Sequence, residues 1–412
     1  MRGLFGIAVL LLLAWGLSEA RFRVPWRVVA AGVLLQFALA VLFIEFRPAA
    51  SVFLLLNGAV EALQKATNAG TGFVFGYLGG AELPFAETRP GASFIFAFRA
   101  LPMVLVVSAL ATLLFYWGVL QRIVQAFAWV LRRTVGVGGP LGLGAAVHIF
   151  VGHIEAPLLI RPYLLRMARG ELFALMSCGM AGIAGTVMVL YASLLGPVIP
   201  NALGNILMAA VISTPAALSI AALMVPFRPD PAAAAELAIA DPPVSSMDAI
   251  AKGTRDGIVF LANIIASLVV LVALVSLANS ILNLLPDWGG EAISLQRLFA
   301  YMFRPVMWLI GIPGPETATA AALMGTKTVL NEFIAYVDLS RLPPEALSEH
   351  SRLIMTYALC GFANFGSLGI LIGGMGAMVP ERRPEIVALG LRSILSGTLA
   401  TCMSGAVVGT LL

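Results

Sequence analysis

The chain has 412 residues, of which 60% are hydrophobic and only 11% are charged, and its formal net charge at pH 7 is +4. Because soluble domains carry about 25% charged residues, this composition excludes a soluble globular protein and indicates an integral membrane protein. The basic residues stand at the ends of apolar segments, so the positive charge does not indicate binding of nucleic acid. Cys178, Cys360 and Cys402 all lie in apolar runs, which argues against a disulfide framework.

Apolar runs long enough to cross a bilayer recur from the first residues to the last. A helix needs about 20 apolar residues to span the hydrocarbon core. Runs of roughly this length lie at 3–19, 28–46, 93–117, 172–196, 201–226, 258–283, 352–378 and 385–411. The sequence therefore predicts an all-α polytopic membrane protein with about eight transmembrane helices.

Four segments between these runs have a different character. Residues 119–133 place apolar side chains on one helical face and polar ones on the other, which predicts an interfacial helix. Residues 138–165 and 303–325 are apolar but broken by "VGGPLGLG" and "GIPGPET", and they are predicted to form re-entrant hairpins or discontinuous helices. Residues 227–257 are rich in Pro, Ala and charge, and they predict a cytoplasmic linker between two halves.

The two halves contain similar stretches. "CGMAGIAGT" begins at Cys178 and "CGFANFGSL" begins at Cys360, and each follows a broken apolar segment with a carboxylate, Glu155 or Glu316. Interrupted apolar segments at matching places in two halves indicate the substrate site of a secondary transporter, because broken helices present free backbone groups near the bilayer midplane. The alternative is that small-residue runs recur only because they allow close helix packing.

Ionisable groups inside the apolar runs support the transporter interpretation. Glu155, Glu316, Lys327 and Glu332 lie within or beside such runs, where a charge is costly and is usually functional or paired. We expect Glu155 and Glu316 to be functional because each lies in a broken segment. In the structural alternative, Glu316 or Glu332 pairs with Lys327.

Five motifs, in chain order, carry a resemblance to a known family: "FAFRALP", "FVGHIEAPLLIRPY", "GIAGTV", "IGIPGPETATAAALMGTKTVLNEFIAY" and "CGFANFGSLGILIGGMG". With them the chain resembles the concentrative nucleoside transporter family, and its length is similar to that of the bacterial eight-span members. The resemblance implies inverted repeats, a homotrimer, and a scaffold domain beside a transport domain that moves like an elevator. It divides the chain into scaffold and interfacial helices (1–135), a first hairpin and broken helix (136–226), the linker (227–257), a scaffold span with an interfacial helix (258–302), and a second hairpin and broken helix (303–412).

The resemblance also implies a nucleoside site. His153, Ile154 and Glu155 stand where the family has a Gln-Thr-Glu run that contacts the base. Glu316 is expected to bind the ribose hydroxyls. The remaining expected ligands are Asn364 and Ser367 for the sugar, and Val187 and Phe362 for apolar or water-mediated contacts around the base.

The family's sodium site is the part that differs most. His148 stands at the Asn ligand position and Gly182 at the hydroxyl position, whereas Val151 and Ile183 keep the backbone carbonyls. Sodium prefers oxygen ligands, so we expect a proton to be the coupling ion, with His148 as a candidate carrier. The alternatives are weak sodium coupling through the remaining carbonyls, or a modified nucleoside or other ribosylated cargo.

The expected partners are a nucleoside, the lipid bilayer and further copies of the chain, with no nucleic acid and no cofactor other than the coupling ion. The expected location is the bacterial cytoplasmic (inner) membrane. An intramembrane enzyme is disfavoured, because the sequence contains neither an H-E-x-x-H motif nor a recognisable Ser-His-acid arrangement.

Overall fold

The computed structural model describes residues 2–45, 47–87, 93–153, 155–228, 241–287, 290 and 292–412, and within these ranges the regular elements are helical. The all-helical membrane fold predicted from the sequence is confirmed. The α-helices, numbered in chain order, are α1 (Arg2–Gly16), α2 (Trp26–Glu45), α3 (Arg47–Phe75), α4 (Phe96–Arg99), α5 (Met103–Tyr116), α6 (Val119–Thr134), α7 (Gly139–Val147), α8 (Glu155–Leu159), α9 (Arg161–Leu164), α10 (Arg169–Ala181), α11 (Gly185–Leu195), α12 (Ala202–Met224), α13 (Ser246–Leu282), α14 (Leu295–Leu309), α15 (Thr317–Val329), α16 (Glu332–Arg341), α17 (Glu349–Leu359), α18 (Phe365–Met378) and α19 (Arg383–Leu411).

Among the described residues, five helical stretches are long and apolar enough to cross a membrane: 26–44, 96–116, 202–224, 246–282 and 380–411. The predicted span at 3–19 corresponds to α1, which is shorter, with 15 residues. The predicted spans at 172–196 and 352–378 are each split, the first into α10 and α11 and the second into α17 and α18. Extended backbone causes both breaks, since Gly182 has ψ 174° and Asn364 has ψ 167°.

One helix is absent from the prediction and another begins earlier than predicted. α3 was not predicted, because its sequence mixes apolar residues with Glu61, Lys65 and several amides and hydroxyls. α13 begins inside the predicted linker, where the Ser245 hydroxyl accepts a hydrogen bond from the Asp248 amide at 3.1 Å and caps the helix. Residues 229–240 of the predicted linker lie outside the described ranges.

The described residues form two helical hairpins, and the second is displaced from its predicted position. The first hairpin comprises α7, a tip at residues 148–153 and the short helices α8 and α9, as predicted. The second hairpin comprises α15, a tip at Leu330 and Asn331, and α16. The Gly-Pro run "GIPGP" that suggested its tip instead joins α14 to α15, because Gly311 at φ 113° turns the chain there.

The two helix breaks lie against each other in the middle of the molecule. The Phe362 amide donates to the Gly182 carbonyl at 3.1 Å. A side chain on Gly361 would lie 2.9 Å from the carbonyl oxygens of Met180 and Ala181, so only glycine permits this approach. The two halves therefore meet through their irregular segments, whose polar backbone is covered by protein.

The remaining long helices form two groups. In the first, α1 and α2 pack on α12, α14 and α19, and the buried Gln36 amide donates to the Ser404 hydroxyl at 3.0 Å. In the second, α13 packs along α5, with Gly253 set against the carbonyl oxygen of Ser108. The hairpins and broken helices lie between these groups and line a cavity.

Candidate functional site

A cavity of about 350 Å³ lies between the hairpin tips, the two helix breaks and α13. Its polar and aromatic lining comes from five separate parts of the chain, which are brought together only by folding. The lining residues that bear on function are His153, Glu155, Val187, Tyr191, Asn263, Glu332, Phe362, Asn364 and Ser367.

One wall of the cavity is a hydrogen-bonded polar chain. The Glu332 carboxylate, only 4% exposed, accepts from the Tyr191 hydroxyl through Oε1 at 2.7 Å and from Asn364 Nδ2 through Oε2 at 2.9 Å. The Asn364 Oδ1 in turn accepts from the Ser367 amide at 2.7 Å. A buried carboxylate is thus held by two donors, which reduces the cost of placing it at membrane depth.

Local sequence explains why these side chains stand at the cavity. The Asn331 side chain accepts from the Ile334 amide at 2.9 Å and caps α16, so Glu332 becomes its first residue. Asn364 caps α18 in the same way and places Ser367 in the first turn. Two helix N-termini therefore begin at this wall, where the unpaired amides and the helix dipole favour a negative or hydrogen-bond-accepting group.

The facing walls are largely apolar. The His153 imidazole packs on the Phe362 ring with a centroid separation of 4.8 Å and an interplanar angle of 60°. Val187 adds an apolar contact from α11. On the α13 side, Phe260 and Leu271 close the cavity, and Asn263 places an amide among them. The cavity thus has an aromatic and aliphatic part beside a polar one.

The predicted cation ligands lie beside the cavity, at the base of the first hairpin tip. His148 ends α7, and a side chain on Gly182 would lie 3.2 Å from the His148 carbonyl oxygen and 3.3 Å from that of Cys178. Val151 belongs to the same tip and Ile183 to the adjacent helix break. The structure therefore brings the four predicted positions into two neighbouring loops.

Both histidines of this region are buried. His148 is 2% and His153 is 7% exposed, and among the described residues neither Nε2 atom has a hydrogen-bond partner. Gly179 makes room for them, because a Cβ there would lie 3.1 Å from both the His148 Cε1 and the His153 Cβ. A buried ring nitrogen without a partner requires an explanation, which a transient proton or ligand can supply.

One predicted ligand, Glu316, is not brought to the cavity. Glu316 lies at the start of the second hairpin, where its Oε2 accepts from the Ser348 amide at 3.2 Å and the Ser348 hydroxyl at 3.0 Å. Its predicted place in the site is therefore corrected, because the hairpin tip is formed by Leu330 and Asn331 instead. Ile154 falls outside the described residues.

Lys327 has a structural environment that the sequence did not predict. Its ammonium group is fully buried and donates to the Ala358 carbonyl at 2.8 Å and the Thr401 hydroxyl at 3.1 Å. No ion pair joins it to Glu316 or Glu332 within the described part of the chain, so the Lys–Glu pair of the structural alternative is not formed. It ties α15 to the carboxyl end of α17, where a helix dipole favours positive charge.

Sequence reasoning missed Glu332 and Tyr191 as cavity residues. For Glu332 an indication existed: "NEF" joins a capping residue to an acidic first turn, which marks a helix start within an apolar region. For Tyr191 no local pattern distinguishes it from the other apolar residues of α11. Its partner lies 141 positions away along the chain, so only folding reveals the contact.

Comparisons with known proteins agree with this architecture. Residues 205–409 match the family model described as "Na+ dependent nucleoside transporter C-terminus", residues 5–78 match "Na+ dependent nucleoside transporter N-terminus", and residues 97–198 match "Nucleoside recognition". An "Uncharacterized transporter" of Haemophilus influenzae is 34% identical, over 99% of this chain and 97% of that protein. "Solute carrier family 28 member 3" of Mus musculus is 33% identical, over 98% of this chain but only 58% of that longer protein.

Solved structures give the same result. CNTnw in an inward-facing substrate-bound state is 34% identical, with a TM-score of 0.88 over 99% of this chain and 96% of that chain. A CNTnw variant in an outward-facing state superposes with a TM-score of 0.87. A helical membrane fold with two hairpins around a partly polar cavity defines a membrane transporter rather than an enzyme. The chain belongs to the concentrative nucleoside transporter family.

Proposed function

We propose that this protein is a secondary active importer of nucleosides and that Glu332, Asn364 and Ser367 bind the sugar. The observation that carries this proposal is the polar wall of the cavity. Each Glu332 oxygen accepts one protein hydrogen bond, and a carboxylate has about four acceptor positions in all, so both oxygens retain capacity for the hydroxyls of a ribose diol. Glu332 thereby takes the role that the family resemblance implied for Glu316.

The base is proposed to lie against His153 and Phe362, with Val187 and Glu155 beside it. The neutral imidazole carries one donor and one acceptor on opposite sides of its ring, so it presents only one of them to a given base edge. We therefore expect a base selectivity that differs from that of relatives with a glutamine amide here. A modified nucleoside or another ribosylated molecule is the alternative cargo, and a competition panel of such compounds against labelled uridine distinguishes them.

We propose that an inward proton gradient drives import, with His148 as the proton carrier. Support comes from the absence of a side-chain oxygen at His148 and Gly182 and from the unpartnered Nε2 of His148 among the described residues. An imidazole can take up and release a proton near neutral pH when its surroundings permit. Sodium coupling is the second candidate, because the matching family models are described as Na+ dependent.

Uptake into proteoliposomes tests the coupling ion. Labelled uridine is followed with an imposed pH gradient in sodium-free buffer, and separately with an imposed sodium gradient at equal pH on both sides. We expect accumulation only with the pH gradient. The double variant His148→Asn with Gly182→Ser is expected to gain sodium-driven uptake, whereas His350→Asn, outside the cavity lining, is the matched control. Accumulation driven by sodium alone in the wild type would reject proton coupling.

The proposed mechanism is an elevator in a homotrimer of the bacterial cytoplasmic membrane. The cavity lies between α13 on one side and the hairpins and broken helices on the other, which supports movement of one group past the other. α13 also carries an exposed apolar face that includes Val269, Leu274 and Leu277, available to lipid or to other copies. The packing of α1 and α2 on α12 and α19 favours placing them with the hairpins rather than with the scaffold. Native mass spectrometry of the purified transporter tests the trimer.

A further inference from the structure

Tyr191 connects the two repeats directly at the cavity. It lies in α11 of the first repeat, is 2% exposed, and donates its hydroxyl proton to Glu332 Oε1 of the second repeat at 2.7 Å. Its ring centroid lies 5.1 Å from that of Tyr336 and 6.1 Å from that of Phe333, so two aromatic rings of the second hairpin pack against the Tyr191 ring. This hydrogen bond therefore joins α11 of the first repeat to α16 of the second repeat.

The hydrogen bonds around Glu332 leave little freedom to its carboxylate. Tyr191 holds one oxygen and Asn364 holds the other, on opposite sides of the carboxyl group. Asn364 is itself fixed, because its Oδ1 accepts from the Ser367 amide at 2.7 Å. Two anchored donors therefore set the plane in which the remaining lone pairs of Glu332 point. Without the Tyr191 hydroxyl, one anchor remains and the carboxylate can rotate.

We infer that Tyr191 is a positioning residue for sugar selectivity, whose hydroxyl orients the Glu332 carboxylate so that it recognises a vicinal diol. This inference rests on the proposed role of Glu332 as the sugar ligand. The competing explanation is that the hydroxyl only satisfies a buried carboxylate. In that case its removal lowers stability but leaves the discrimination between sugars unchanged, because an unsatisfied group affects all substrates alike.

The test compares Tyr191→Phe with the wild type in competition uptake. The variant removes one oxygen and keeps the ring. We measure the inhibition constants of uridine and 3′-deoxyuridine and take their ratio as the discrimination factor. The ratio is expected to fall by about fivefold, the factor that corresponds to one hydrogen bond of about 1 kcal/mol. Tyr357→Phe is the matched control, because that buried hydroxyl donates a hydrogen bond to Asn205 Oδ1 at 2.9 Å. Neither Tyr357 nor Asn205 belongs to the cavity lining.

A second pair of variants separates this inference from the proposed function. Glu332→Gln alone tests whether Glu332 binds the sugar, and Tyr191→Phe with Glu332→Gln tests whether Tyr191 acts through it. We expect the double variant to discriminate no worse than Glu332→Gln. If Glu332→Gln retains the wild-type ratio, the proposed sugar site fails. If Glu332→Gln loses the ratio while Tyr191→Phe keeps it, or if Tyr357→Phe lowers it equally, the positioning role of Tyr191 is overturned.

Discussion

Replacing Glu332 by Gln removes a charge from the cavity while preserving the shape of the side chain. The carboxylate is 4% exposed and has two protein donors at 2.7 and 2.9 Å, so it is shielded from water and oriented before substrate arrives. A glutamine keeps one acceptor oxygen and turns the other position into a donor. One charge-assisted hydrogen bond to the sugar is therefore lost, at about 1.5–3 kcal/mol. The dissociation constant of uridine should rise by about 10- to 150-fold.

Isothermal titration calorimetry of the purified protein in detergent measures this constant without a membrane gradient. Glu316→Gln is the matched control, since it makes the same chemical change at the position that the sequence favoured, in a carboxylate bonded to Ser348 outside the cavity lining. Its uridine affinity should stay within about threefold of the wild type, which is less than the loss of one typical hydrogen bond to the substrate, because Glu316 does not line the cavity. Equal losses in both variants, or a larger loss in Glu316→Gln, would refute the assignment of the sugar to Glu332.

Three further changes test other parts of the structure. Lys327→Met deletes two buried hydrogen bonds of the ammonium group and should lower the free energy of unfolding by about 2 kcal/mol. The purified variant should therefore melt at a lower temperature than the wild type. Gly179→Ala should displace the His148 ring and reduce proton-driven uptake. Gly373→Ala should leave uptake unchanged, because the described residues outside its own helix place no atom within 4 Å of the added Cβ. A hydrogen bond from Arg169, with the positive charges of Arg169 and Arg392, holds the pKa of the Glu19 carboxyl below its usual 4.5. The higher melting temperature of wild type over Glu19→Gln should therefore be present above about pH 4.5 and vanish as the pH falls through the lowered pKa. Both proteins melting alike at pH 7 would contradict the last expectation.

The composition and the lengths of the apolar runs were sufficient to predict a helical membrane protein. Burial of apolar side chains in lipid and the need to satisfy every backbone group leave few other solutions for such a chain. The paired stretches at Cys178 and Cys360 likewise predicted two related breaks, because both contain small residues where a helix must open. The helical membrane fold and the two helix breaks depend on local composition, which can be read from the sequence without the structure.

The positions of helix ends were predicted less well where polar residues occur in unusual contexts. α3 was missed because its polar residues conceal a helix that is stabilised by contact with α2, α5 and α12. The second hairpin was placed too early because glycine and proline mark a turn without saying whether it is a hairpin tip or a connection. In this chain the tip contains Leu330 and Asn331, whose turn is set by the side-chain cap of α16.

Only the tertiary structure decided which carboxylate of the second half, Glu316 or Glu332, lines the cavity. Glu316 and Glu332 both lie near apolar runs, and no periodicity distinguishes a carboxylate that faces a cavity from one that faces a loop. The choice depends on contacts between segments far apart in sequence: Tyr191 from α11 and Asn364 from the second helix break meet Glu332 from the second hairpin. Such contacts arise from the packing of whole helices, which local sequence patterns do not encode.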